Sequence, residues 1–158
     1  MERVDVEQRA EKARRFFLEG YNCAQAVVLA YCDLFDISQS LAASISAPLG
    51  GGMGRLREVC GAVSGMFMVA GLFYKNDVPS DMTKRKIVYS TVQDLAEKSK
   101  ALNGSIICRE LLGLDHKSDS PTPEARTETY YKRRPCADYV ASAARLIGEK
   151  LNEVSEEM

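Results

Sequence analysis

Cysteines 23, 60, 108 and 136 each stand at the start of a stretch patterned as a helix. The first N–H groups of a helix lack intrahelical partners and carry partial positive charge, which favours a thiolate over a thiol. Thiols so placed fall from about 8.5 to between about 3.5 and 7.5, most readily beside cations. Arg57 precedes Cys60, Arg109 follows Cys108, and Lys132-Arg133-Arg134 precedes Cys136, while Cys23 has no basic neighbour. Thiolates of this kind ligate metals or exchange disulfides.

Each start is legible locally. Asn22 is a candidate N-cap ahead of Cys23 and the apolar run Ala24, Ala26, Val27, Ala30, Tyr31 and Leu34. Pro135, of a type favoured at the first helical position, comes directly before Cys136. Cys60 follows the glycine-rich run Gly50-Gly51-Gly52-Met53-Gly54, and Cys108 falls in the first turn of 106–112. Cys32 differs. It lies half a revolution from Cys23 on the same expected helix, as a small buried hydrophobe.

Helical periodicity dominates the elements that must position these sulfurs, so an all-α single domain over 1–158 is expected, with about six or seven helices around one central apolar helix. Helices are expected over 6–18, 23–35, after Ser38 to before Pro48, and 59–74. After a break at 76–81 comes a long amphipathic helix with the stripe Val88, Val92, Leu95, Ser99 and Leu102, ending near Asn103-Gly104. The stretch 113–129 is long for a loop, and Thr122-Pro123-Glu124 offers a helix start within it. The last helix is expected over 135–154, with Tyr139, Ala143, Leu146, Ile147 and Leu151 inward and a fraying tail from Ser155. Its opening and that of the second helix share the pattern C-A-x-x-V-x-x-A.

Composition narrows the function classes. A chain of 158 residues with 46% hydrophobic content has core enough without disulfide staples. A net charge of -1 gives no electrostatic case for nucleic acid. The apolar stretch 59–74 would span about 24 Å, short of the hydrocarbon core of about 30 Å, so no membrane insertion is expected. The first residues lack an apolar signal core, and an odd number of cysteines without a dense framework suits a reducing compartment, so the cytoplasm is expected. The lone histidine, His116, reads as a solvated loop side chain, and Tyr130 and Tyr131 as a cover for the Cys136 helix start.

Cys60-Gly61-Ala62-Val63-Ser64-Gly65 forms a C-G-A-x-x-G motif, with Cys23 before it, Cys108 and Cys136 after it, and a C-R-E-L-L-G segment at 108–113. With these features nearly the whole chain resembles the C-GCAxxG-C-C family of redox-active proteins. The resemblance implies redox roles for Cys23, Cys60, Cys108 and Cys136, and none for Cys32. Gly61 and Gly65 leave a groove for a crossing helix or for a cofactor. Gly51 and Gly52 could turn the chain or aim backbone N–H groups at the sulfurs.

Two sulfur chemistries stand open. Four thiolates would suit an iron-sulfur cluster, and one site would account for all four helix starts, which makes it the preferred expectation. The alternative is metal-free thiol-disulfide exchange with an unknown redox partner. No C-x-x-C pair is present, which weighs against thioredoxin-like and zinc-ribbon arrangements, leaving zinc a minor option. A helical interaction module with packed cysteines, or a homodimer across the central helix, completes the set.

Overall fold

Capping side chains start the helices where the sequence places them. The Asn22 side chain accepts from the Gln25 N–H at 2.9 Å, and the Gln25 side chain accepts from the Asn22 N–H in return. Ser38 accepts from Leu41 N–H at 3.0 Å and Asp81 from Lys84 N–H at 2.9 Å. In the computed structural model, which describes residues 1–157, the helices are α1 (Val6–Leu18), α2 (Cys23–Leu29), α3 (Gln39–Ser46), the single turn α4 (Gly50–Met53), α5 (Gly61–Tyr74), α6 (Met82–Asn103), the single turn α7 (Cys108–Leu111), α8 (Glu128–Arg133) and α9 (Cys136–Glu157). The fold is all-α. Among the described residues the only β pairing is an isolated antiparallel bridge between Val59 and Ile107.

Helix α5 is apolar on all sides and packs against α2, α6 and α9, while α1 lies along α9. Phe17, Tyr31, Met66, Leu95, Ile147 and Leu151 fill the core between them. Burying each of the larger side chains contributes about 1.5–3 kcal/mol. No helix among the described residues is long and apolar enough to cross a membrane. The shared C-A-x-x-V-x-x-A pattern has a structural counterpart: Val27 and Ala30 of the second helical region, and Val140 and Ala143 of α9, are all buried.

Several boundaries depart from the sequence expectation. Helix α2 ends at Leu29, not Phe35, because Arg9 donates to the Ala30 carbonyl at 2.8 Å and the Tyr31 hydroxyl reaches the Ala144 carbonyl at 2.7 Å. Cys32 therefore opens a separate 3-10 turn (Cys32–Phe35), buried as expected but not by facing away from Cys23 on one helix. Leu102 of α6 is exposed, so the inward stripe ends at Ser99. No helix starts at Thr122, since Glu124 is drawn into ion pairs with Arg133 and Arg134, and α8 begins instead behind the Thr127 cap. Pro135 stands just outside α9, where its carbonyl accepts from Asp138 N–H at 3.0 Å. The tail expected to fray from Ser155 stays helical to Glu157, and Met158 lies outside the described residues.

Candidate functional site

The glycine-rich run turns the chain through the left-handed region, with φ of 67° at Gly51, 71° at Gly52 and 62° at Gly54. Met53, Arg55 and Arg57 share that region at 70°, 66° and 59°, each costing about 1–2 kcal/mol without glycine's freedom. Glycine is required at 52, where a Cβ would lie 2.6 Å from the Cys108 Cβ and 2.8 Å from the Arg57 Cα. The turn thus presses Arg57 and Cys108 together. Beyond it the chain pairs with a distant segment: Cys60 N–H donates to the Ile106 carbonyl at 2.8 Å and Cys108 N–H to the Glu58 carbonyl at 2.6 Å. Sequence periodicity missed this pairing. Its one signal was the β-branched set Val59, Ile106 and Ile107 beside a chain break.

Cys23, Cys108 and Cys136 are the first residues of α2, α7 and α9, and Cys60 caps α5. All four line one cavity of about 70 Å³, whereas Cys32 lies in a separate apolar cluster with Val28, Leu29 and Ala42. The C-G-A-x-x-G glycines make the close approach possible. A Cβ on Gly61 would strike the Cys23 sulfur, and one on Gly65 would lie 2.8 Å from the Ala24 carbonyl oxygen. Both glycines therefore serve the crossing of α5 over α2. Gly51 lines the cavity, whereas Gly52 packs behind Cys108.

At Cys60, Cys108 and Cys136 the helix start does not lower the thiol pKa. Burial pushes the Cys60 thiol up, and the Cys23 sulfur adds to the rise against the opposing Val63 and Ala62 amides. The Cys136 thiol is pushed up to about 12, first by burial and then by Cys23 and Cys108, with Arg134 and Arg57 opposing. Cys108 is likewise raised by burial, despite a hydrogen bond from Arg57 Nη1 at 3.6 Å. Desolvation outweighs the helix-end charge at these three sulfurs because the side chains packed around them exclude most water. Cys23 raises each of the other three, and Cys136 in turn acts on Cys60 and is raised by Cys108.

Basic residues reach partners that linear proximity did not indicate. Arg57 serves Cys108 rather than the nearby Cys60, and its Nε donates to Asp119 at 2.8 Å. Arg109 pairs with Glu58 at 3.1 Å. His116 is exposed as expected, yet its Nε2 lies 2.8 Å from Asp119, which links the loop to Arg57 and thence to Cys108. Tyr130 lines the cavity beside Cys136, while Tyr131 packs on Phe17. Arg126, which no local motif marks, is a further wall residue.

Four cysteines are a chemically suitable donor set for an iron-sulfur cluster or zinc. As arranged, however, no group of three or more His, Cys, Asp or Glu side chains among the described residues is gathered closely enough to hold a metal ion. A metal bound there would require the sulfurs to draw closer.

An all-α bundle that brings four helix-start cysteines to one cavity is a helical cysteine-pocket protein. The chain belongs to the family described as putative redox-active protein (C_GCAxxG_C_C), whose model matches residues 21–150. No curated protein and no solved structure matches it.

Proposed function

We propose that the protein is a thiol-disulfide redox carrier whose centre is the four-cysteine cavity, with Cys23 as the sulfur common to its exchanges. The observation that carries this reading is the convergence of four cysteines, remote in sequence, on one cavity wall. The raised thiol values of Cys60 and Cys136 fit a couple that releases protons with its electrons. Cys23 and either Cys60 or Cys136 lose two protons and two electrons as their S–S bond forms, while a partner disulfide gains both and is cleaved to two thiols. The reducing cytoplasm and an external thiol partner suit this chemistry, which requires no second copy of the chain.

The iron-sulfur reading keeps one favouring observation, the count of four cysteine donors at one cavity. Anaerobic purification followed by iron and sulfide analysis separates the two. Thiol exchange predicts metal-free protein that loses titratable thiols in pairs on mild oxidation, with Cys23 in the disulfide recovered by peptide mapping. Stoichiometric iron and sulfide, lost on Cys23→Ser, would replace this reading with the cluster.

A further inference from the structure

The cysteine cavity adjoins a larger concavity of about 510 Å³, and the two share Arg57, Arg126, Tyr130 and Cys136. Cys136 is the one cavity cysteine that also lines this outer vestibule. Its wall carries Arg55, Arg57, Arg126 and Arg134 against one carboxylate, Glu124. Glu124 is engaged by Arg134 at 2.7 Å and Arg133 at 2.5 Å, with Arg55 and Arg57 at 4.0 and 3.9 Å, and Asp119 behind the wall pairs with Arg57 at 2.8 Å, so five arginines face two carboxylates. Arg126 makes no ion pair among the described residues. Its guanidinium donates to the Phe17 and Tyr21 carbonyls at 3.0 and 2.9 Å and lies over the Phe17 ring, 4.2 Å from the centroid. A concave wall with this excess of cations focuses its field on an anion, and its volume is that of a small-molecule site.

Resting on the thiol-exchange reading, we propose that this vestibule binds a small disulfide bearing several carboxylates and presents its sulfur to Cys136. Guanidinium groups match carboxylates in planar, paired hydrogen bonds, which fits the ligand class. Cys136 gives up its proton as it attacks one ligand sulfur, the charge that forms being stabilised by Arg134 and Arg57; the ligand S–S bond breaks and the departing thiolate takes up that proton. Cys23 then attacks the Cys136 sulfur of the mixed disulfide. The second ligand thiolate leaves with the Cys23 proton, and a Cys23–Cys136 disulfide remains. Two protein thiols are oxidised and one ligand disulfide is reduced to two thiols, with no further oxidant.

The test compares oxidised glutathione, in which carboxylates outnumber amines, with cystamine, a cationic disulfide. Expected for the reduced protein at low salt is a rate constant for oxidised glutathione about tenfold above that for cystamine. About 0.5 M salt should erase the preference. Arg126→Met should lower the ratio of the two rates, and mass spectrometry of the first adduct should find it on Cys136. Because Arg126 also tethers Phe17 and Tyr21, calorimetric titration of the unmutated protein with S-methylglutathione, which cannot exchange, provides a test independent of folding. Saturable, salt-sensitive binding is expected. Equal rates for the two disulfides, or no binding of S-methylglutathione, would overturn the vestibule while leaving thiol exchange intact. Binding without exchange by either disulfide would instead remove the exchange reading and keep the anion site.

Discussion

Cys32 shares residue type, burial and a position at the start of a helical turn with the cavity cysteines Cys60 and Cys108, yet their surroundings differ in kind. Cys32, 3% exposed, donates to the Leu29 carbonyl at 3.5 Å and packs against aliphatic side chains. Cys60 and Cys108, each 7% exposed, line a cavity with two further cysteines, and Cys108 also meets a buried arginine. Burial raises the thiol pKa in both regions. What separates them is the presence of other sulfurs on the same cavity wall, since Lys12 and Arg9 act on Cys32 as Arg57 acts on Cys108. Burial by itself therefore does not mark a reactive cysteine; its neighbours do.

The sharpest break of this comparison is genetic. Cys23→Ser should remove most of the reversible two-electron oxidation, because the proposed exchanges run through Cys23, whereas Cys32→Ala should retain it. Thiol titration through an oxidation and reduction cycle checks both. Loss of the cycle in the Cys32 variant would erase the distinction.

A smaller effect is expected from glycine substitutions along α5. Gly61→Ala places a methyl against the Cys23 sulfur and 2.9 Å from the Leu49 carbonyl oxygen, so it should destabilise by about 1–3 kcal/mol and disturb the cavity. Gly71→Ala meets nothing within 4 Å and should stabilise by about 1 kcal/mol through helix propensity. Urea denaturation of both variants measures the difference, and equal effects would mean that the crossing at Gly61 is not tight.

The gentlest probe is pH. An unfolded chain releases the Cys136 proton near the ordinary thiol value of about 8.5, whereas the folded protein holds it up to about 12. This stabilisation is complete below the lower value and is lost as pH rises through the window, by up to about 1.4 kcal/mol per pH unit. The reduced protein should therefore melt at lower temperature as pH is raised above about 9, and Cys136→Ala should flatten that slope. An unchanged slope in the variant would show that the Cys136 sulfur is solvated.

The helices were largely legible because their signals act within a few residues. Asn22 caps α2, Gly104 closes α6, and Ala10, Ala13 and Phe17 bury one face of α1. The end of α2 was not legible, since Arg9 and the Ala144 carbonyl set it from other parts of the chain. The irregular stretch before α8 follows ion pairs of Glu124, not the local proline signal. At the site, the identities of the four cysteines were readable, but their ionisation was not. Helix-start charge is a local property, whereas desolvation depends on everything packed around the sulfur.

By itself the sequence determined an all-α chain, the helix starts at Cys23, Cys60, Cys108 and Cys136, and small residues where α5 crosses α2, because periodicity, caps and residue size are properties of neighbouring positions. Only the tertiary structure decided that those sulfurs share a cavity, that Arg57 meets Cys108 and not Cys60, and that a basic vestibule adjoins Cys136. These depend on the pairing of 58–60 with 106–108 and on the packing of α2, α5 and α9, contacts between residues far apart along the chain that no local pattern encodes.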